Sequence, residues 1–186
     1  MKLKIVQIGD PVLRQKAREL THEEILSPRI QQLITLMKET MYDAPGVGLA
    51  APQIGEAIQL IVIEDKSEYS QALTPEQIKN RQRVPIPFHV VINPKLTIEN
   101  NDGIEFYEGC LSVTGHVGLV TRALSVKVDC LNELAKPVTI HATGWYARIL
   151  QHETDHLQGT LCIDKMKTQS LTTLENYNKF LKNTVK

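Results

Sequence analysis

A chain of 186 residues, 42% hydrophobic and 23% charged, has the composition of an ordinary globular protein and the length of one domain. Lys plus Arg and Asp plus Glu number 21 each, so the formal net charge is zero and offers no electrostatic footprint for direct nucleic-acid or anionic-membrane binding. No apolar run reaches membrane-spanning length, and the Met-Lys-Leu-Lys-Ile start lacks a signal-peptide core or an Arg/Ser-rich presequence. The sequence therefore reads as cytoplasmic; an organellar protein trimmed of its presequence would read the same.

Asp10-Pro11 has the cap-then-proline form of a helix start, and a short helix is predicted toward Leu20. Thr21 and Glu24 have capping-box spacing. Ser27-Pro28 opens the first long helix, with Ile30, Leu33, Ile34, Met37 and Met41 on one face, stopping by Pro45-Gly46. The stretch Gly46-Val47-Gly48-Leu49-Ala50-Ala51-Pro52-Gln53 is built from small residues that let another group approach the backbone. A lone Gly-x-Gly is more often a tight turn than a site.

Ile58 to Ile63 reads as a strand. Residues 64–88 read as a surface insertion, with one helical turn from Pro75 and regularity broken at Pro85 and Pro87. Strands are predicted next at 90–98, interrupted at Asn93-Pro94; Asn100-Asn101-Asp102-Gly103 has the composition of a hairpin turn. Further strands are predicted at 117–120, 123–128 and 138–141, then a helix from Thr143 to Gln158 and a final helix capped by Ser170 and running to Leu181. The pattern is α+β: mostly antiparallel β-sheets around a central metal-binding helix, with an N-terminal helical region and a C-terminal helix. Residues 1–186 are expected to form a single catalytic domain.

The metal reading comes from His152-Glu153-Thr154-Asp155-His156, a His-Glu-x-x-His motif. Four positions apart on a helix, the two imidazoles stack on one face and can reach one ion, with Glu153 placed to take a proton from water. Trp145, Ile149, His152 and His156 form one stripe, and Gly159 stands where a helix-ending glycine stands. A catalytic site needs a third protein ligand. Candidates are Cys110, Cys130, Cys162, His141, Asp164 and several glutamates. Cys162 occupies the third-histidine position of the metzincin proteases; Cys110 lies in a glycine-flanked turn; spacing leaves the two even. Cys130 sits in an alternating strand and reads as core. Two rival readings stay open here: a metzincin-like protease using Cys162, and a binding module with a closed structural metal site.

Gly46-Val47-Gly48-Leu49-Ala50-Ala51-Pro52-Gln53, Glu108-Gly109-Cys110-Leu111-Ser112 and Gln151-His152-Glu153-Thr154-Asp155-His156 resemble, in order and separation, the three signature motifs of peptide deformylases. The resemblance extends from Gly9-Asp10-Pro11-Val12-Leu13-Arg14 to Asp164. It implies Cys110, His152 and His156 as metal ligands and Glu153 as general base and acid. It implies Gln53 and the backbone N–H of Leu111 as oxyanion donors, and Gly48 lining the groove beside the formyl group. Gly46, Val47 and Ile149 complete the expected substrate site, with Val47 and Ile149 at the methionine side chain. The implied cofactor is one divalent ion, iron(II) in the native state, with zinc, nickel or cobalt substituting. The implied substrates are N-formylmethionyl peptides and nascent chains on the ribosome, deformylated with release of formate. Thr114 departs from the family, which often has proline there.

Elsewhere, His22, His89 and His116 read as surface residues, and His141 as a strand-end hydrogen-bonding group. Arg122 and Glu108 are a candidate pair holding the cysteine turn.

Overall fold

Thr21 and Glu24 close the expected capping box: Thr21 Oγ1 accepts from Glu24 N at 3.2 Å and Glu24 Oε2 accepts from Thr21 N at 2.9 Å. It starts α1 (His22–Leu26). Ser27 caps α2 (Pro28–Asp43), whose five predicted stripe residues are all buried. The computed structural model describes residues 2–71 and 73–182.

Five strands pair antiparallel in chain order: β1 (Gly48–Ala50), β2 (Leu60–Asp65), β3 (Ile86–Cys110), β4 (Val113–Leu131) and β5 (Pro137–Thr143). A short β6 (Thr172–Thr173) adds to β4. Between β2 and β3 lies α3 (Pro75–Arg81), and α4 (Gly144–Leu157) crosses the sheet. α5 (Leu174–Asn176) continues as a π-helical turn over Tyr177–Leu181. The fold is α+β.

β2 explains the layering. Ile61 and Ile63 face α4 together with Val91, Val126, Ile149 and Leu150. Leu60 and Val62 face α2 together with Ile34, Met37, Met41 and Ile92. Both faces of β2 are covered, so its sequence is a continuous apolar run instead of an alternating one. Each buried aliphatic side chain contributes roughly 1.5–3 kcal/mol relative to exposure. These layers fix α4 against the sheet before any site is considered.

α4 ends as expected at Gly159, which adopts φ +72°. A Cβ there would stand 2.6 Å from the Arg14 carbonyl oxygen, so glycine is required by both conformation and space.

Several expectations are corrected. The segment after Asp10 is one 3-10 turn, Pro11–Arg14, and not a helix to Leu20. Asn100-Asn101-Asp102-Gly103 is not a hairpin turn; β3 runs through it, with register shifts that absorb the extra residues as bulges. The tight turn is Leu111-Ser112, with Cys110 paired to Val113. Asn93 takes φ +50° and bulges the strand without ending it. The strands predicted at 117–120 and 123–128 are one strand, β4. The ends of the 64–88 segment belong to β2 and β3, and Asp65 and Ile86 are buried. His89 is half-buried and hydrogen-bonds the Tyr146 hydroxyl at 2.9 Å. The final helix is capped by Thr173, not Ser170; Thr173 Oγ1 accepts from Asn176 N at 3.2 Å. Ser170 instead accepts from Leu119 N at 2.8 Å and ties the segment to β4.

Candidate active site

α4 presents His152 and His156 toward the β3–β4 turn, where Cys110 stands. The Cys110 Sγ lies 3.3 Å from His156 Nε2, and the ligand atoms of Cys110, His152 and His156 all fall within 4.8 Å of one another. Among the described residues, this is the group of His, Cys, Asp and Glu side chains able to share an ion. Cys162 is not part of it. Cys162 is 2% exposed and packs against Cys110, with Val120 and Met166.

The donor set fits a divalent cation. One sulfur and two imidazole nitrogens suit zinc, iron(II) or nickel. Donors sharing a tetrahedral ion stand roughly 3.5 Å apart for bond lengths of about 2.3 and 2.0 Å, close to the Sγ–Nε2 separation. His152 Nδ1 donates to Glu108 Oε2 at 3.1 Å, which fixes the tautomer and leaves Nε2 for the ion.

Glu108 is the hub of the support. Arg122 donates to it twice, at 3.0 and 2.9 Å, and Arg148 adds a further bond at 2.5 Å. Glu108 and both arginines are buried, so the pair anticipated from sequence is an internal network and not a surface ion pair. Arg122 also donates to Asp155 at 2.5 Å, tying β4 to the motif helix. Burial pushes the Glu108 carboxyl up, but His152 and Arg122 outweigh it and hold it well below the carboxylate range. Burial disfavours the His152 cation; Glu108 still pushes its pKa up to about 9. Burial, with the neighbouring His152 charge, keeps His156 well below its ordinary value, so that ring is neutral.

Glu153 is 4% exposed and its Oε2 has no protein hydrogen-bond partner. Burial pushes its carboxyl up to about 7, in the range of a group that exchanges protons near neutrality. Gly48 makes this position possible, because a Cβ there would stand 2.3 Å from Glu153 Oε1. The Gly-x-Gly stretch is thus a close approach, not merely a turn.

Gln53 Oε1 accepts from Ala50 N at 2.9 Å, while its Nε2 faces Ser112 Oγ at 3.3 Å and Cys110 Sγ at 3.5 Å. A cavity of about 670 Å³ opens over the group. Gly46, Val47, Gly48, Gln53, Cys110, Leu111, Ile149, His152 and Glu153 all line it, and His156 lies buried behind.

Other supporting residues are not evident from sequence reasoning. Gln151 clamps Ala123, donating to its carbonyl and accepting from its N–H, both at 3.0 Å. Arg148, one turn before His152, does carry a sequence signal: a cation on the face that also bears the motif. Gln7 holds the turn at Thr114, accepting from Thr114 Oγ1 at 2.8 Å and donating to the Leu111 carbonyl at 3.0 Å. A side-chain clamp thus holds this turn at the position where the resemblance leads one to expect proline.

A sulfur and two ring nitrogens converging beside a buried carboxyl, over an apolar cavity, are the arrangement of a metal-dependent hydrolase. The sequence profile of the polypeptide deformylases matches residues 2–171. The chain is 48% identical over 172 residues to a chloroplastic peptide deformylase 1A of Solanum lycopersicum, covering 92% of this chain and 62% of that protein. It is 46% identical to the chloroplastic/mitochondrial peptide deformylase 1A of Arabidopsis thaliana, covering 92% of this chain and 64% of that protein. It therefore spans under two thirds of the length of these plant relatives. A class I type b peptide deformylase of Acinetobacter baumannii, solved with Met-Ala-Ser bound, superposes with a TM-score of 0.78 at 30% identity, over 89% of this chain and 99% of that one.

The chain belongs to the peptide deformylase family. Its members are metal-dependent hydrolases that remove the formyl group from N-terminal formylmethionine. Among the described residues, no helix is long and apolar enough to cross a membrane.

Proposed function

We propose that this chain hydrolyses the N-formyl group of formylmethionyl peptides and nascent proteins, releasing formate. The observation that carries the reading is the convergence of Cys110 and His156 at 3.3 Å, with His152 alongside and Glu153 buried beside Gly48. Cys110, His152 and His156 would hold one divalent ion, which supplies Lewis-acid activation of water and of the formyl carbonyl. Iron(II) is the proposed native ion, with zinc, nickel or cobalt able to replace it on donor chemistry.

The protein's own groups do the rest. Glu153 takes a proton from the attacking water and returns it to the departing amine nitrogen. Gln53 Nε2 and the Leu111 N–H donate to the formyl oxygen as it gains charge; one such donor is worth about 3 kcal/mol of barrier. The Gly46–Gly48 backbone aligns the peptide by main-chain hydrogen bonding. Val47 and Ile149 contact the methionine side chain. Residues 1–186 act as one catalytic unit, and substrates reach it as chains leave the ribosome in the cytoplasm, or in an organelle as in the plant relatives. The chain itself makes no direct nucleic-acid contact in this reading.

The test is formate release from formyl-Met-Ala-Ser, with and without a chelator. Chelator-sensitive release supports the reading. Cleavage of internal peptide bonds with indifference to the formyl group would replace it with a protease.

A further inference from the structure

The segment between β2 and β3 and the C-terminal segment meet at the mouth of the cavity. β6 is laid on the edge of β4, with Thr172 opposite Val117 and Thr173 opposite His116. Lys167 N donates to the Leu119 carbonyl at 2.9 Å just before it. The Thr173 cap then starts the last helix, and its first side chain, Leu174, lines the cavity.

That helix is held from a second side. The Tyr177 ring packs 4.8 Å from the ring of Tyr107, another cavity residue. Gln77 Nε2, on α3, donates to the Lys182 carbonyl at 3.4 Å. Arg81, also on α3, lies 5.0 Å over the Trp145 ring, and Trp145 lines the same cavity. A solitary exposed leucine needs no explanation. Leu174 is different: the residues on either side of it are held by a strand pairing and a ring contact, yet it is 46% exposed, on the wall of the cavity that Cys110, His152 and Glu153 also line.

We propose that Leu174, with Tyr107, forms an apolar subsite for a peptide side chain one or two residues beyond the formylmethionine. This rests on the deformylase reading. The methionine lies deep, against Val47, Ile149 and the ligand group, so the rest of the peptide must leave through the mouth. An apolar side chain there covers Leu174 and leaves water, a gain that a carboxylate, which stays hydrated, forgoes. The chain therefore discriminates among formylated N-termini by the second or third side chain of the substrate.

The experiment compares kcat/KM for formyl-Met-Xaa-Ser and formyl-Met-Ala-Xaa, with Xaa as Leu or Asp, in wild type, Leu174→Ala, Leu174→Asp and the exposed control Leu171→Ala. At one of the two positions the wild type should prefer Leu by about tenfold. Leu174→Ala should bring that ratio near one, chiefly by raising KM for the Leu peptide. Leu174→Asp should lower it further, and Leu171→Ala should leave it alone. Equal loss on every peptide, or an unchanged ratio, overturns the subsite while leaving the activity standing. No formate from any peptide in wild type removes the activity and the subsite together.

Discussion

The Glu108 carboxylate accepts from His152 Nδ1 at 3.1 Å while holding both Arg122 and Arg148. One side chain thereby orients a candidate ligand and pairs with two buried guanidinium groups, of which Arg122 has Asp155 as a second carboxylate. Glu108→Gln keeps the shape but removes the charge. The expected result is a 10–100-fold loss of metal affinity, about what removing such an outer partner costs, and a stability loss of about 3–5 kcal/mol from buried Arg148 losing its carboxylate while Arg122 keeps Asp155. Chelator competition and urea unfolding measure the two effects separately. A variant with wild-type affinity would leave Glu108 a purely structural residue.

The same contact sets a pH dependence for chelator-stripped protein. Glu108 is held below its ordinary 4.5, so its contribution is present above that value and is lost as pH falls below it. His152 is raised from 6.5 to about 9, so its contribution is present below 6.5 and is lost as pH rises through 9. Glu153 is raised to about 7 and titrates inside this window, so the measurement belongs in a Glu153→Gln background. His156, held well below 6.5, binds its proton first in the unfolded chain and so costs stability as pH falls below 6.5. In that background the urea midpoint should therefore be highest at about pH 6.5 and fall on both sides. Adding Glu108→Gln should flatten the alkaline limb and lessen the acid limb, to which His156 and Asp164 still contribute. Unchanged limbs in the double variant would assign the pH dependence to other groups.

Much of this is legible in the letters, because local rules and tertiary needs agree. The α2 stripe, the Thr21–Glu24 box and the Gly159 stop are local, and the structure has all three. The HExxH spacing puts two imidazoles on one face wherever α4 packs. The relations that stay hidden are those set by partners distant in sequence. Asn100-Asn101-Asp102-Gly103 has turn composition, but pairing of β3 with β4 on both sides carries the strand through it. Cys110 and Cys162 are even on spacing because their separation depends on how the β3–β4 turn meets α4. The Gly48–Glu153 contact joins residues 105 apart, and no periodicity reports it.

The cysteines can be separated by substitution. Cys110 Sγ is 3.3 Å from His156 Nε2, whereas Cys162 packs in a buried cluster with Val120 and Met166 and is outside the candidate ligand group. Cys110→Ser should lose or sharply weaken binding of zinc or cobalt, since a hard hydroxyl replaces a soft thiolate. Cys162→Ser should retain one ion per chain, with a modest stability loss of about 1–3 kcal/mol for a buried hydroxyl. Elemental analysis after gel filtration reads the outcome. The opposite pattern would restore the metzincin-like site.

Glu153 and Gly48 give a matched pair of tests. Glu153→Gln removes the proposed proton acceptor without changing the three candidate ligands. Metal content should therefore hold while kcat for formate release falls by about 10²–10⁴-fold. Gly48→Ala adds a methyl where Glu153 Oε1 now stands 2.3 Å away, so the carboxylate must turn aside although its chemistry is intact. Activity should fall by at least about 100-fold, as for a reacting group displaced by an ångström, again with the ion retained. Gly48→Ala should also keep a titrating group in its pH–rate profile, which Glu153→Gln should lose. If Gly48→Ala were fully active, the carboxyl would have room to move, and its present position against β1 would not be the working one.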